Sequence, residues 1–372
     1  MAPRPSAAAA SAGADRGTAT IAAACNQGHR YHDRVRPQDL AAVACCSPAG
    51  AMISNFYASR HSHSSRADWL QRLAAGEISR NGGQLWTDGP LAAGDRLSWH
   101  RPPWHEPAVP ALPRPLFDDG DLLVFDKPAG LPVLPAGGFL EHTLLRQIEQ
   151  QVASGRLDGA AGLPRPVHRL GRWTSGLLLC ARRPATRAWL SALLRESTAS
   201  CAGAAMSPGS ISAGCCKTYR ALLEPPAAAS PLLPLQPGET LEISAAIGRC
   251  RHQLLERVWA VAEPGDPAAL PARSRLRLLR GGGSGPAGEA WLVEVEIGSG
   301  RPHQIRIHAA VCGAPLQGDP LYRRGGTARH QVLPGAGGYH LHAHRLRLPL
   351  ETGEWLALEA PLPGWLRTAA DV

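Results

Sequence analysis

The residues best suited to chemistry lie in four separated stretches. VHRLGRWTSGLLLC, from Val167 to Cys180, sets His168, Arg169, Arg172 and Thr174 around Gly171. It is built like a reactive segment, yet glycine stands where a carboxylate would be expected. KTYRALLE offers one phenol, Tyr219, and RPHQIRIHAAV concentrates Arg301, His303, Gln304, Arg306 and His308. HLHAHRLRLPL places His340, His342 and His344 at every second position of a strand pattern, so they share a face. A metal would want a further ligand, and no CxxC or Cys/His spacing accompanies them. His303 and His308 have two open readings, ligand contact or backbone hydrogen bonding at a helix end.

These side chains need elements to hold them. TSGLLLCA reads as a strand after a tight turn, and KTYRALLE, AWLVEVEIGSG and HLHAHRLRLPL follow as strands. LLVF is a short buried-type strand that Lys127 and Pro128 end. EHTLLRQIEQQV and ATRAWLSALLRE carry helical spacing, and RPHQIRIHAAV enters a helix. Strands outnumber helices and their order is irregular. The expected class is α+β, with a mixed, mostly antiparallel central sheet and flanking helices. STASCAGAAMSPGSISAGCC is a low-complexity insertion near 199–216, and PPAAASPLLPLQPGE and RLLRGGGSGPAGEA read as loops.

Composition narrows the partners. The 372-residue chain is 44% hydrophobic, with 40 Gly, 34 Pro and a formal charge of +9, which suits a polyanionic partner such as nucleic acid or a membrane surface. The 9 cysteines form no regular framework, which points to a reducing compartment. No apolar run approaches the roughly 18 residues of a membrane-spanning helix. The first 60 residues, Ala/Ser-rich without a secretory core, read as disordered or transit-like. A compact module follows over 64–107: the helix DWLQRLAAG stopped by Gly76, a hairpin at Asn81-Gly82-Gly83, and the strand GDRLSW, which leaves through Pro102 and Pro103. Its Arg66, Arg72 and Arg80 can meet phosphates. Arg172, Arg182 and Arg183 are phosphate contacts or a solvated face. Trp99 and Trp104 stack bases or pack the linker.

Five motifs in order then resemble the RluA-type pseudouridine synthases of the RsuA/RluA group: DDGDLLVFDKPAGLPVLP, HRLGRWTSGLLLCAR, KTYRALLE, GSGRPHQIRIHAAVCGAPLQGDPLY and HLHAHRLRLP. The 64–107 module resembles the S4-like RNA-binding domain of that group, and 113–372 its catalytic domain. The resemblance implies isomerisation of uridine to pseudouridine in rRNA, tRNA or organellar RNA. The uracil leaves the stack, its bond to the ribose breaks, and C5 is joined in place of N1. It implies Tyr219 and Arg306 as catalytic residues. His168, Arg169, Arg172, Thr174, Arg301, His303 and Gln304 would bind substrate, and Arg66, Arg72, Arg80 and Lys127 would bind RNA. No metal, organic cofactor or membrane is implied, and the chain is expected to be a monomer of the cytoplasm or an organelle.

The family's aspartate falls on Gly171. Asp118, Asp119, Asp121, Asp126 and Asp319 are expected to be structural. Two readings stay open: a synthase with a substitute for the carboxylate, or a non-catalytic RNA-binding member of the same fold. Gly171→Asp should confer or raise activity if only the carboxylate is missing.

Overall fold

The computed structural model describes residues 19–45, 50–61, 64–200, 215–281, 290–297, 300–350 and 353–366. Most of the low-complexity insertion, 201–214, lies outside them.

Thr174–Ala181 organises the larger part of the molecule. All of its side chains are buried, as a near-continuous apolar run demands when both sheet faces are covered. Leu178 and Cys180 join Leu123 and Phe125 in one core, while Leu177 and Leu179 face the opposite one with Leu122 and Val124. Leu190 of the helix Pro184–Ser200 closes the second core, and Leu144 and Ile148 of the helix Leu144–Ala153 pack into the first.

The resulting sheet has 10 strands. Its main path runs Thr240–Ile243, Ser274–Arg280, Trp291–Ile297, Cys216–Leu223, Leu341–Pro349, Thr174–Ala181, Leu122–Lys127, Phe117–Asp118. Every pairing is antiparallel except that of Thr174–Ala181 with Leu341–Pro349. The α+β expectation holds. At that parallel seam Gly176 has φ +98, and a Cβ there would strike the backbone of Ala343. Only glycine lets the two strands approach so closely. The four strands between Thr240 and Arg280 were not anticipated, although SRLRLLR alternates buried and less buried positions.

The N-terminal module is larger than its sequence outline. Its sheet runs His29–Arg34, Arg96–Arg101, Ile78–Arg80, Gly83–Leu85, so a strand from before residue 60 is an integral member. The helices Pro37–Cys45, Ile53–Arg60 and Arg66–Ala74 supply core residues with it: Ile53, Phe56, Tyr57, Trp69 and Leu73 pack with Ile78, Leu97 and Trp99. Two short pairings, Thr20–Ile21 with Val109–Pro110 and Ala24–Cys25 with His105–Glu106, tie the start of the described chain to the linker. The helix near Trp69 is capped as its sequence allows, Ser65 and Asp68 each accepting from the other's backbone. Asn81 and Gly82 take φ +53 and +90, the left-handed pair that a two-residue hairpin requires.

Glu106 anchors the linker to the larger domain. It is 1% exposed and accepts from Asn26 Nδ2 and from the amides of Leu140, Glu141 and His142. Burial opposes its charge, but these bonds prevail and lower its pKa. Trp104 donates to the Gly138 carbonyl and Trp99 is a core residue, so both tryptophans pack.

Candidate active-site cavity

The four central strands end around a cavity of about 160 Å³. Its wall gathers His168 to Gly171 and Thr174 from the turn before one strand, and Lys217 and Tyr219 from another. Arg301 and His303 to Arg306 come from the start of the helix Gln304–Val311, and Tyr339 and Leu341 lead into a third strand. The register explains the convergence, since Tyr219 lies opposite Ala343 and Val295, Lys217 opposite Ile297, and Thr174 beside Leu341. Eight of the expected residues therefore meet: Tyr219, Arg306, His168, Arg169, Thr174, Arg301, His303 and Gln304.

Their protonation follows from burial. The Tyr219 phenol is pushed well above its ordinary range by burial, with Cys215 adding to it, so it stays protonated. His168 is lowered to about 3 by burial and by Lys217, and its Nε2 accepts from the Leu179 amide as a neutral ring must. His303 is lowered to about 3 by burial and by Arg306. It sits at φ 56 ahead of the helix, with Nδ1 2.7 Å from the Tyr322 hydroxyl. Tyr322 donates to the Trp259 carbonyl, which makes that imidazole nitrogen the donor. Lys217 is lowered by burial. Gln304 lines the wall with a spent amide: it accepts from the Arg301 backbone and donates to Arg273 O and Ser274 Oγ. His308 faces the interior, bonded to Ser274 Oγ and the Ala245 carbonyl, so the structural reading of that residue stands.

Arg306 is committed. Its Nε and Nη2 hold the two oxygens of Asp319 at 2.7 and 2.8 Å, with both side chains almost wholly buried. Burial works against the guanidinium, but this fork and the neighbouring tyrosines raise its pKa above the ordinary arginine value. Asp319 also accepts from the Leu321 amide and does not line the cavity. The other acids are structural as expected: Asp118 binds Arg182 in a fork, Asp119 accepts from the Asp121 and Leu122 amides, and Asp121 holds Arg183 N and Thr186. Asp126 lies next to the end of the strand Leu122–Lys127, raised to about 6 by burial. Among the described residues no carboxylate lines the cavity.

Gly171 has a spatial cause. Its φ is not positive, so its backbone does not demand glycine. A Cβ built there would run into the Tyr339 hydroxyl, with Thr174 Oγ1 at 3.3 Å. Any side chain at 171, that of Gly171→Asp included, can be seated only if the Tyr339 hydroxyl end moves aside. Tyr339 and Lys217 were the residues missed. Lys217 precedes Tyr219 by two in a strand and so shares its face, a signal present in KTYRALLE.

Three other expectations are corrected. Lys127 is 0% exposed and donates to the carbonyls of Pro128, Leu131 and Arg172, out of reach of any phosphate. Burial lowers it to about 7. Arg172 lies outside the cavity wall, donating to the Gly130 carbonyl against Phe139 and Trp173. Arg72 packs its guanidinium 4.2 and 4.8 Å from the Trp69 and Trp99 rings. Arg66 and Arg80 remain at the surface but are engaged, with Ser54 and Asp88 and with Pro90 O and Asp95.

Among the described residues, the module's cations without an acidic partner lie elsewhere. Arg30, His32 and Arg34 stand opposite His100, Ser98 and Arg96 on the sheet face away from the helices, lining a groove of about 1290 Å³. Among the described residues, no group of three His, Cys, Asp or Glu could hold a metal, and no helix is long and apolar enough to cross a membrane.

Comparison with known proteins points one way. The family model for RNA pseudouridylate synthase matches residues 121–311. An uncharacterized RNA pseudouridine synthase of Synechocystis is 39% identical over 317 residues, covering 84% of this chain and 95% of that protein. RNA pseudouridine synthase 5 of Oryza sativa is 35% identical over 381 residues, covering 92% and 89%. Human RNA pseudouridylate synthase domain containing 4 aligns with a TM-score of 0.46 at 20% identity, over 68% of this chain and 89% of that one. The matched segment carries most of the cavity wall, from His168 through Tyr219 to Arg306, and the chain belongs to the RNA pseudouridine synthase family.

Proposed function

We propose that the chain isomerises uridine to pseudouridine within a structured RNA, with the central cavity as the reaction site. The observation that carries this is convergence: side chains from four distant segments meet around one open-mouthed cavity, with Tyr219 and Arg306 in its wall. The reaction exchanges the C5 proton of uracil for a proton on N1 and is redox-neutral, so the chain's own groups suffice in principle.

The uridine must leave the stack to enter so small a space. The Arg306 cation, fixed by Asp319, faces the negative charge that develops on uracil as its bond to the ribose breaks. Tyr219, protonated and buried, hydrogen-bonds the base and relays the C5 proton. Arg169 and Arg301 receive the adjoining phosphates at the mouth, and Arg30, Arg34 and Arg96 grip the backbone further away. Because every proposed contact away from the cavity is to phosphate, binding falls steeply with salt.

The test is a pseudouridine map of total RNA with and without the gene. A site that is lost, returns with the wild-type copy and stays lost with Tyr219→Phe supports the reading. An unchanged map, alongside salt-sensitive RNA binding, leaves only grip.

A further inference from the structure

Breaking the bond between uracil N1 and ribose C1′ leaves the carbon electron-poor, and an oxygen nucleophile that captures it divides one hard step into two easier ones. The cavity wall offers no carboxylate for this among the described residues. Asp319 does not line it, and both of its oxygens are held by Arg306. The side-chain oxygens that do line it belong to Thr174, Tyr219, Gln304 and Tyr339. Gln304 is spent on Arg301. Thr174 Oγ1 lies 3.3 Å from the Tyr339 hydroxyl and shares a hydrogen bond with it. Tyr339 stands apart from the rest. Its oxygen fills the volume that a side chain at 171 would take, and the Arg306 guanidinium lies 4.3 Å from its ring centroid. Tyrosine is an established class of nucleophile at sugar carbons in glycoside chemistry.

We propose that Tyr339 is a catalytic residue whose phenol oxygen attacks C1′ of the target uridine, in the space that the absence of a side chain at Gly171 leaves open. The inference rests on the isomerase reading above. In the first step the oxygen bonds to C1′ as the C1′–N1 bond breaks. The bonding pair goes to uracil, and the phenol proton passes to N1. The base then turns. In the second step the C5=C6 π pair forms the C5–C1′ bond as the O–C1′ bond breaks, returning its pair to the Tyr339 oxygen. That oxygen regains a proton from C5 by way of Tyr219. One proton leaves C5, one is gained at N1, and no other reactant is consumed.

The test uses the purified full chain in single-turnover assays on an RNA that the wild type converts, with RNA affinity measured in parallel. Tyr339→Phe keeps the ring and removes only the oxygen, so it should slow conversion by roughly 100-fold with affinity changed less than about twofold. Thr174→Val should slow it by less than about tenfold. Gly171→Asp alone should be slower than wild type, because its Cβ can be seated only by pushing the Tyr339 oxygen out of its place. Gly171→Asp combined with Tyr339→Phe should recover at least about tenfold over Tyr339→Phe, as a carboxylate takes the vacated place. A loss under about tenfold in Tyr339→Phe overturns the inference. So does a Thr174→Val variant as slow as Tyr339→Phe, since the phenol would then act only by holding Thr174. A double variant no faster than Tyr339→Phe also overturns it. A wild type that converts no cellular RNA defeats the isomerase reading itself, a result distinct from an active enzyme indifferent to Tyr339→Phe.

Discussion

The cavity and the N-terminal module are both rich in cations, and they use them in opposite ways. In the cavity, Arg169, Arg301 and Lys217 line a wall without an acid among the described residues. In the module, the three arginines that the sequence suggested are occupied, Arg66 by Asp88, Arg80 by Asp95 and Arg72 by two indole rings. The cations left for an RNA are Arg30, Arg34 and Arg96, which alternate along two paired strands. In the module a basic residue is available to phosphate only where the fold has not already engaged it, whereas Arg306 keeps its place in the cavity wall although Asp319 pairs it.

The contrast can be broken most sharply at the cavity. Tyr219→Phe should lower the conversion rate by about 10²–10⁴-fold while leaving RNA affinity within about twofold. Equal losses in rate and affinity would make Tyr219 a binding residue and erase the distinction. The next largest effect is on stability. Arg306→Met strands the buried Asp319 charge and should cost about 3–5 kcal/mol in denaturant unfolding. Arg66→Gln removes a half-exposed pair and should cost about 0–1 kcal/mol.

Acid should act through buried histidines. His308 and His342 are each lowered by burial from 6.5 to about 4. Their folded values lie below their unfolded ones, so between those limits the unfolded chain binds more protons and stability falls as pH falls. The stabilisation is complete above pH 6.5 and is lost progressively toward pH 4. Urea midpoints at about pH 7 and about pH 5 measure it, and equal midpoints would contradict the assignment. The smallest effect is on binding. Replacing Arg30, Arg34 and Arg96 together by Gln should flatten the slope of log affinity against log salt by about 0.7–0.9 per lost contact. The same change at Arg66 and Arg80 should leave the slope unaltered. If the second set matters and the first does not, the helical face is the one that meets RNA.

Much of the fold was legible because local signals agreed with the tertiary structure. TSGLLLCA has no polar face, so it had to be a central strand. DWLQRLAAG has helical spacing that Gly76 stops, and Asn81-Gly82 can hardly be anything but a turn. The early module was not legible for the converse reason. HRYHDR presents exposed charges with Tyr31 half-buried, and only pairing with Arg96–Arg101 makes it a strand. In the site, the motif residues were found wherever one strand or helix start carries them together. Tyr339 was not, because it lies outside the HLHAH pattern and reaches Gly171 only through the parallel seam. Lys127 misled for a different reason: a lysine in a turn after a strand reads as exposed, and three carbonyls drawing it inward leave no mark on the sequence.

The most direct test of the account is a single-turnover assay of the purified full chain on RNA from cells lacking it, read by pseudouridine-selective chemistry at each uridine. The account predicts conversion at one or a few defined sites by wild type, slowed about 10²–10⁴-fold by Tyr219→Phe, with no metal or cofactor added. No conversion at any uridine, by a protein that still binds the same RNA with a steep salt dependence, would contradict it and leave a cavity kept for holding a base rather than turning it.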